Sequence, residues 1–163
     1  MTVTAVDIDK IDFSPFGEHR RLTEVRDVFE TERYTCYVDF SRFLSGDWMI
    51  GYVRSGLLPE YCSKMEKHKR DQSLMVCGDF PMVLPLAPAG DPMDPEELPQ
   101  ADSVFAVVLY PGDVALLNPG VWHDACYGIR SEVRYHFLSK VYDTDILVKP
   151  ISPGPVRIAA TVP

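Results

Sequence analysis

The sequence predicts an all-β protein, and three observations support this fold class. The apolar residues occur in short runs of strand length that are rich in Val, Tyr, Phe and Ile. Fourteen prolines and ten glycines interrupt the chain between and within these runs. Long segments with a 3.6-residue apolar period, which would indicate helices, do not stand out. Short strands separated by turns at a spacing of roughly 8 to 12 residues are typical of a barrel or a sandwich.

Seven runs are predicted to form strands: YTCYVDF (34–40), WMIGYVR (48–54), SLMVCG (73–78), PMVLPLA (81–87), VFAVVLY (104–110), DVALLN (113–118) and VRYHFLSK (133–140). The Gly-Asp-Phe turn at 78–80 and the Pro-Gly turn at 111–112 are predicted to join their flanking runs into antiparallel hairpins.

Two segments are predicted to lie outside the barrel. The stretch 87–103 is rich in proline and acidic residues and predicts an exposed loop, for which a lid over the barrel mouth is one hypothesis. The stretch 147–163 contains several prolines and predicts an extended C-terminal tail. With 163 residues the chain suits a single domain, whose core is expected over about 30–145.

Composition restricts the class of partner. The chain has 46% hydrophobic and 25% charged residues and no apolar run long enough to span a membrane, so a soluble protein is expected. The net charge is −8 and the basic residues do not form a single stripe, which argues against nucleic acid as a partner. A small-molecule partner is therefore favoured.

The expected compartment is the cytoplasm. The first residues, MTVTAVDIDKIDF, lack the basic start and the continuous apolar run of a secretion signal. The four cysteines are widely spaced without a Cys-x-x-Cys pair, which favours reduced thiols over disulfides or a zinc knuckle.

The segment PGDVALLNPGVWH (111–123) places a histidine behind a Pro-Gly turn at the end of an apolar strand. The turn fixes the backbone, and the first inward position of the returning strand would direct the His123 imidazole into the barrel mouth. This order of glycine, apolar strand, Pro-Gly turn and histidine resembles the second half of the cupin signature. A core histidine that is hydrogen-bonded to a backbone carbonyl is the alternative interpretation.

The segment MEKHKRDQSLMVCG (65–78) resembles the first half of the same signature. Glu66 and His68 are two residues apart, so both side chains face the same side of a strand. Gln72 and Gly78 follow, with Glu66 in place of the first cupin histidine and Gln72 in place of its glutamate. The cupin resemblance implies a double-stranded β-helix, or jelly-roll barrel. By the same alternation Lys67 and Lys69 are expected to point outward, and Asp124 to face away from His123.

Taken together, three short motifs resemble the ureidoglycolate lyase family of cupin-like proteins. They are Phe13-Ser14-Pro15-Phe16-Gly17, Glu66-Lys67-His68 with Gln72, and Val121-Trp122-His123. Their order and approximate spacing match the family over most of residues 10–140. The chain departs from the family after His123, where it continues Asp124-Ala125-Cys126 instead of a second histidine, and after Gln72, where Ser73-Leu74-Met75-Val76 replaces Ala-Phe-Ile-Pro. Both departures fall at the pocket, so they bear on the substrate more than on the fold.

The resemblance implies a lyase of purine (allantoin) catabolism that splits ureidoglycolate, or a related carboxylated substrate, into glyoxylate and urea. This is the breakdown of a carbinolamine, which needs a base for the hydroxyl proton and an acid for the departing nitrogen. The candidate proton-transfer groups are His68, His123 and Glu66. The candidate substrate-binding residues are Gln72, Arg54 and Trp122, of which Arg54 is chosen because arginine can bind a carboxylate through two hydrogen bonds.

The sequence is compatible with a site that binds a metal ion and with one that does not. Glu66, His68, Gln72 and His123 would offer two imidazoles, one carboxylate and one amide, a set that suits one divalent ion such as Zn, Mn, Ni or Fe. A metal-free acid-base pocket is the equal alternative. Two further functions are considered: a metal-dependent cupin isomerase or oxygenase acting on a small metabolite, and a non-catalytic cupin that binds a small acid. A homodimer is expected, because an exposed strand edge needs a cover.

Overall fold

The computed structural model describes residues 1–24, 27–30, 35–38, 48–70, 72–140 and 146–161. Parts of the predicted strand 34–40, and the last two residues of the predicted tail, lie outside these ranges. None of the described helical segments has the length and apolar character needed to cross a bilayer.

The described residues form β-strands joined by turns and three short 3-10 segments. The strands are β1 (Thr2–Thr4), β2 (Val6–Asp7), β3 (Gly17–Arg21), β4 (Asp27–Glu30), β5 (Thr35–Val38), β6 (Trp48–Ser55), β7 (Tyr61–Cys62), β8 (Lys64–His68), β9 (Ser73–Cys77), β10 (Met82–Ala87), β11 (Phe105–Leu109), β12 (Asp113–Leu117), β13 (Trp122–His123), β14 (Tyr127–Gly128), β15 (Val133–Lys140), β16 (Ile146–Pro150) and β17 (Val156–Ala159). The 3-10 segments are Ile8–Lys10, Leu22–Glu24 and Ala101–Ser103.

Two sheets build the barrel. Sheet I has the order β16-β8-β13-β10-β11-β2, with β14 also paired to β10, and sheet II has the order β3-β12-β9-β15-β6. The eight barrel strands, in chain order, are β6, β8, β9, β10, β11, β12, β13 and β15. Sheet I then contains the second, seventh, fourth and fifth of them, and sheet II the sixth, third, eighth and first. This interleaving is that of a jelly roll. The predicted all-β, cupin-type jelly-roll fold is confirmed.

The two predicted hairpins are wrong, although both turns form. β9 pairs with β12 and β15, whereas β10 pairs with β11, β13 and β14, so the turn at 78–80 carries the chain from sheet II to sheet I. The turn at 111–112 closes with a hydrogen bond of 2.8 Å from the Asp113 N–H to the Tyr110 carbonyl, and it crosses in the opposite direction. Turn residues fix a local bend, but the partner of each strand is set by the apolar faces that the strand must bury.

The main core fills the space between the sheets. Its side chains come from the barrel strands of both sheets and from the 8–16 segment, and they include Ile8, Phe13, Leu86, Leu117 and Tyr135. A second apolar layer lies on the outer face of sheet I, where β1, β17 and β7 form a small separate sheet over it. Buried residues of that layer, such as Val3 and Ile158, extend beyond the predicted core boundaries of 30–145.

Candidate active site

Strand β8 brings three functional side chains to the interior of the barrel. Alternation along the strand places Lys64, Glu66 and His68 on one face, and all three line the same cavity. Strand β13 is only two residues long and lies beside β8, with His123 directly opposite Glu66 in the register. Two segments far apart in the sequence therefore converge at neighbouring positions of sheet I, as the motifs predicted.

Glu66, His68 and His123 form a compact cluster. Each offers one atom of metal-ligand type, and these atoms all lie within 4.8 Å of one another. The His123 Nε2 atom is 3.5 Å from the Glu66 Oε1 atom. The imidazole rings of His68 and His123 are stacked with their centroids 5.4 Å apart and an interplanar angle of 19°. The cluster can therefore pass protons between its members or surround a single ion.

The tautomer of His123 follows from its hydrogen bond. The Nδ1 atom lies 3.1 Å from the Val121 carbonyl oxygen, which can only accept, so Nδ1 carries the hydrogen. The Nε2 atom then presents a lone pair toward Glu66. Because the side chain is buried, desolvation lowers the pKa of His123 below its usual 6.5, although the Val121 carbonyl opposes this shift. The hydrogen bond from His123 to a backbone carbonyl, which a purely structural core histidine would also make, is therefore present. The second ring nitrogen, however, faces the cavity.

Glu66 has the complementary property. Burial raises the pKa of its carboxyl group above the ordinary 4.5, and the nearby His68 partly offsets this rise. The two groups that lie 3.5 Å apart are therefore an imidazole that resists protonation and a carboxyl that retains its proton more readily than usual. Such a pair of displaced pKa values is characteristic of acid-base sites.

The turn before His123 is fixed from two sides. The Gly120 N–H donates to the His68 carbonyl at 2.7 Å, which ties the turn to the end of β8. Gly120 has a φ of 80°, in the left-handed region that favours glycine. A Cβ atom at this position would lie 2.7 Å from the Pro92 Cγ atom of the 87–103 segment. The Pro-Gly signal in the sequence thus corresponds to a turn that admits no larger residue.

Asp124 lines the cavity, which contradicts the expected alternation. The chain pairs Leu86 with His123 and then Val83 with Tyr127, so three residues, 124–126, oppose two in β10. This is a β-bulge, and bulges redirect side chains. Pro85 of β10 stands opposite the bulge, and its missing N–H is not needed where the ladder is already interrupted.

The cavity has a volume of about 380 Å³, and its polar groups from sheet I and the bulge are Lys64, Glu66, His68, His123 and Asp124. Lys64 was not among the predicted site residues. The alternation that joined Glu66 to His68 extends to Lys64 two positions earlier, so the signal was present in the sequence. Asp124 could not be found in this way, because the bulge depends on the partner strand.

Three predicted site residues lie elsewhere among the described residues. Arg54 is exposed on β6 and binds Glu132, with its Nε and Nη2 atoms 3.1 and 2.9 Å from Glu132 Oε1. Gln72 is half-buried before β9 and does not line the cavity. Trp122 is buried in the outer apolar layer, on the face of β13 opposite to that of His123. The alternation places Trp122 outside the barrel interior, where its substrate-binding role has no structural support.

Lys67 points outward from the barrel, as the alternation predicts, but its side chain does not reach solvent. The side chain is fully buried on the outer face of β8, with its Nζ atom 4.8 Å from the centre of the Trp122 ring. The ammonium group donates to the Asp91 carbonyl at 2.9 Å and forms an ion pair with Glu97. Both partners belong to the 87–103 segment. That segment is largely exposed and is held against the outer face of sheet I, on the side away from the cavity. None of its residues lines the cavity, so it does not form a lid over it.

Comparisons with known proteins add little to this description. No protein-family model matches the sequence, and a search of curated proteins finds no match. The solved structure of dTDP-6-deoxy-D-glucose-3,5-epimerase RmlC from Legionella pneumophila Philadelphia 1, in complex with dTDP-4-keto-L-rhamnose, aligns with a TM-score of 0.47 at 11% identity, over 88% of each chain. None of these comparisons identifies the ureidoglycolate lyase family. The strand order carries the fold assignment, and the chain has a cupin-like jelly-roll fold.

Proposed function

We propose that this protein is a small-molecule enzyme, a carbon-nitrogen lyase of the ureidoglycolate lyase type. The observation that carries the proposal is the pair formed by His123 and Glu66. An imidazole with a free Nε2 lone pair lies 3.5 Å from a carboxyl group of raised pKa, inside a cavity of small-molecule size. The motif resemblance supplies the reaction for which such a pair is suited.

The reaction divides between the two groups. His123 Nε2 accepts the proton of the substrate hydroxyl group, and the oxygen electrons form the carbonyl double bond of glyoxylate. The carbon-nitrogen bond breaks, its electron pair stays on the ureido nitrogen, and that nitrogen takes a proton from Glu66 to give urea. The proton on His123 then returns to Glu66, which restores both groups. His68, stacked on His123, helps to hold the substrate hydroxyl in place.

Lys64 takes the role that was expected of Arg54. Its side chain lines the cavity on the same strand face as Glu66 and His68. A lysine ammonium at this position attracts the substrate carboxylate as a point charge, without the two-pronged geometry of arginine. This places the anionic end of the substrate on the same side as the acid-base pair.

The test is an assay of glyoxylate release from ureidoglycolate by the purified protein. His123→Gln is expected to lower kcat by about 100-fold or more, since general acid-base groups contribute on that order. Lys64→Met is expected to act mainly on KM, because it removes a binding charge. Lys69→Met serves as the matched control, since Lys69 is not among the cavity-lining residues and its loss changes the net charge equally. Binding of the substrate without turnover by the wild-type protein would instead indicate a non-catalytic small-acid-binding cupin.

A second candidate, a metal-dependent cupin enzyme, is favoured by the same cluster. Two imidazoles and one carboxylate within 4.8 Å match the donors that zinc and non-haem iron take in catalytic sites. The Nδ1 bond of His123 to a backbone carbonyl is also the usual second hydrogen bond of a metal-binding histidine. Glu66, His68 and His123 would hold the ion, which would supply Lewis-acid polarisation of a substrate oxygen. Gln72 does not line the cavity, so it is dropped from the ligand set.

Metal analysis of the purified protein separates the two candidates. Glyoxylate release that survives treatment with a chelator supports the acid-base lyase. A stoichiometric metal together with loss of all activity on chelation supports the metal-dependent enzyme, and the Glu66→Gln variant should then lose the metal.

A further inference from the structure

The wall of the cavity that faces the polar cluster is largely apolar. It is formed by β9, β15 and β6 of sheet II, whose register sets cavity side chains in cross-strand rows. One row holds Met75, Phe137 and Gly51, and the next holds Tyr135 and Val53. Apolar side chains therefore extend across three strands.

The other neighbours of the cluster are also apolar. On sheet I, Val148 of β16 pairs with Glu66, and Ile146 pairs with His68. Both β16 side chains line the cavity and are half exposed. Three buried hydroxyl groups are the exceptions on the facing wall: Ser73 and Ser139, which lie opposite each other in the register, and the phenol of Tyr135, which accepts a hydrogen bond from the Cys126 N–H at 3.3 Å. The polar groups of sheet I thus occupy one side of a mostly apolar cavity.

Ureidoglycolate does not use such a wall. Every heavy group of this molecule beyond its central carbon is polar or charged, so contact with Phe137, Met75 or Val53 would leave hydrogen-bonding groups without partners. The cavity volume of about 380 Å³ lies in the range of sites that take larger ligands. An apolar substituent would gain free energy from the same surface, because its burial releases water from both sides.

Gly51 determines how Phe137 fits in this wall. A Cβ atom at Gly51 would lie 2.0 Å from the Phe137 Cε1 atom, so the ring rests directly on the backbone of β6. Any larger residue at position 51 would displace the ring. The absence of a side chain at Gly51 therefore provides the space that the Phe137 ring occupies, and the ring itself forms part of the cavity wall.

We infer that the substrate is a 2-hydroxy acid that carries an apolar substituent on the reacting carbon, and that Phe137 and Gly51 determine this preference. The inference rests on the proposed lyase function. The central carbon of ureidoglycolate carries one hydrogen, and in the inferred substrate an aliphatic or aromatic group replaces it. This group lies against sheet II, while the substrate carboxylate faces Lys64. The same carbon-nitrogen cleavage then yields urea and a 2-oxo acid that retains the substituent.

The first experiment measures binding of stable 2-hydroxy acids by isothermal titration calorimetry. The series is glycolate, lactate, 2-hydroxy-3-methylbutanoate and 3-phenyllactate. Affinity is expected to rise along the series by about fourfold for each buried methylene equivalent. Equal affinity for all four acids, or tightest binding of glycolate, would overturn the inference.

Two variants test whether the apolar wall of sheet II determines the preference for apolar acids. Phe137→Ala and Gly51→Ala should each lower the affinity for 3-phenyllactate by about tenfold or more while leaving that for glycolate within about twofold. Phe137→Leu is the milder substitution, and it should keep the preference for apolar acids if Phe137→Ala fails to fold. Phe80→Ala is the matched control, because Phe80 is half exposed and lies outside this cavity. Parallel losses for glycolate and 3-phenyllactate would contradict the assigned role.

The binding series and the lyase assay fail independently. Rising affinity without any release of urea from ureido-2-hydroxy acids would retain the substrate class and reject the lyase. Turnover of ureidoglycolate combined with flat affinities would retain the lyase and reject the apolar substituent.

Discussion

Lys67 stands between two residues of the acid-base cluster on β8, yet it serves the opposite face of the strand. Its ammonium group is enclosed by the Trp122 ring, the Asp91 carbonyl and the Glu97 carboxylate. Trp122 in turn directly precedes His123. This one side chain therefore connects the 87–103 segment to both strands that carry the site, and a buried charge with good partners is stable only while those partners remain.

The variant Lys67→Met should lower the free energy of unfolding by about 3–5 kcal/mol, because it leaves Glu97 without its buried partner. Urea denaturation monitored by tryptophan fluorescence measures this change. Lys69→Met, the control for loss of one charge, should change the stability by less than about 0.5 kcal/mol. A similarly small effect of Lys67→Met would show that solvent replaces the ion pair.

His123 makes the stability depend on pH. Burial holds its folded-state pKa below the ordinary 6.5, so the unfolded chain binds the proton more readily. The contribution of the neutral imidazole is complete above pH 6.5 and is lost progressively as the pH falls toward the folded-state pKa.

We expect the wild-type protein to lose more stability between pH 7 and pH 5 than the His123→Gln variant does. Urea denaturation of both proteins at several pH values measures the difference, in which the other titrating groups cancel to first order. Equal slopes for the two proteins would mean that His123 titrates alike in the folded and unfolded states.

At the scale of elements, β6 is the end strand of sheet II. It is eight residues long, pairs with β15 on one side, and among the described strands has no neighbour on the other. Ile50 and Tyr52 on this strand are 70% and 55% exposed. A long edge with apolar side chains invites pairing with a second strand.

We propose that the predicted homodimer forms through this edge, with β6 pairing with β6 of a second copy of this chain. Light scattering coupled to size-exclusion chromatography should give twice the chain mass for the wild-type protein. Ile50→Lys should shift the protein toward the monomer, and Leu57→Lys, a change at an exposed leucine outside the strand, should not. A wild-type monomer, or a dimer that both variants retain, would contradict this assignment.

The bulge at 124–126 is a place where strand alternation no longer predicts the direction of the side chains. Alternation along a strand correctly grouped Glu66 with His68, because β8 is regular. It failed at Asp124, because the three residues of the bulge oppose two residues around Pro85, and no local signal in the sequence after His123 announces this. It correctly placed Lys67 on the outer face of β8, but it could not show that this side chain is buried there, because its partners come from a segment 24 to 30 residues away.

At the scale of the whole molecule, the fold class followed from the sequence because strand-length apolar runs and turn residues are local properties. The pairing of strands did not follow. Arg54 is an example. The sequence places it near the end of a strand, but its ion-pair partner, Glu132, lies before β15 and becomes a neighbour only through the β6–β15 register. The cavity wall opposite the cluster was missed for the same reason, since Phe137 and Gly51 meet across that register.

The alternation of successive strands between the two sheets also governs how the chain reaches this structure. Few strand pairs can form by local closure, because Gly17 must meet Leu117, Ser55 must meet Val133, and Thr2 must meet Arg157. Each such meeting closes a long loop before any contact energy is gained. Folding should consequently be slow for the size of the chain, in the regime of all-β proteins with high contact order. During that interval the strand edges stand open, so the yield of native protein should depend on the concentration at which the chain refolds.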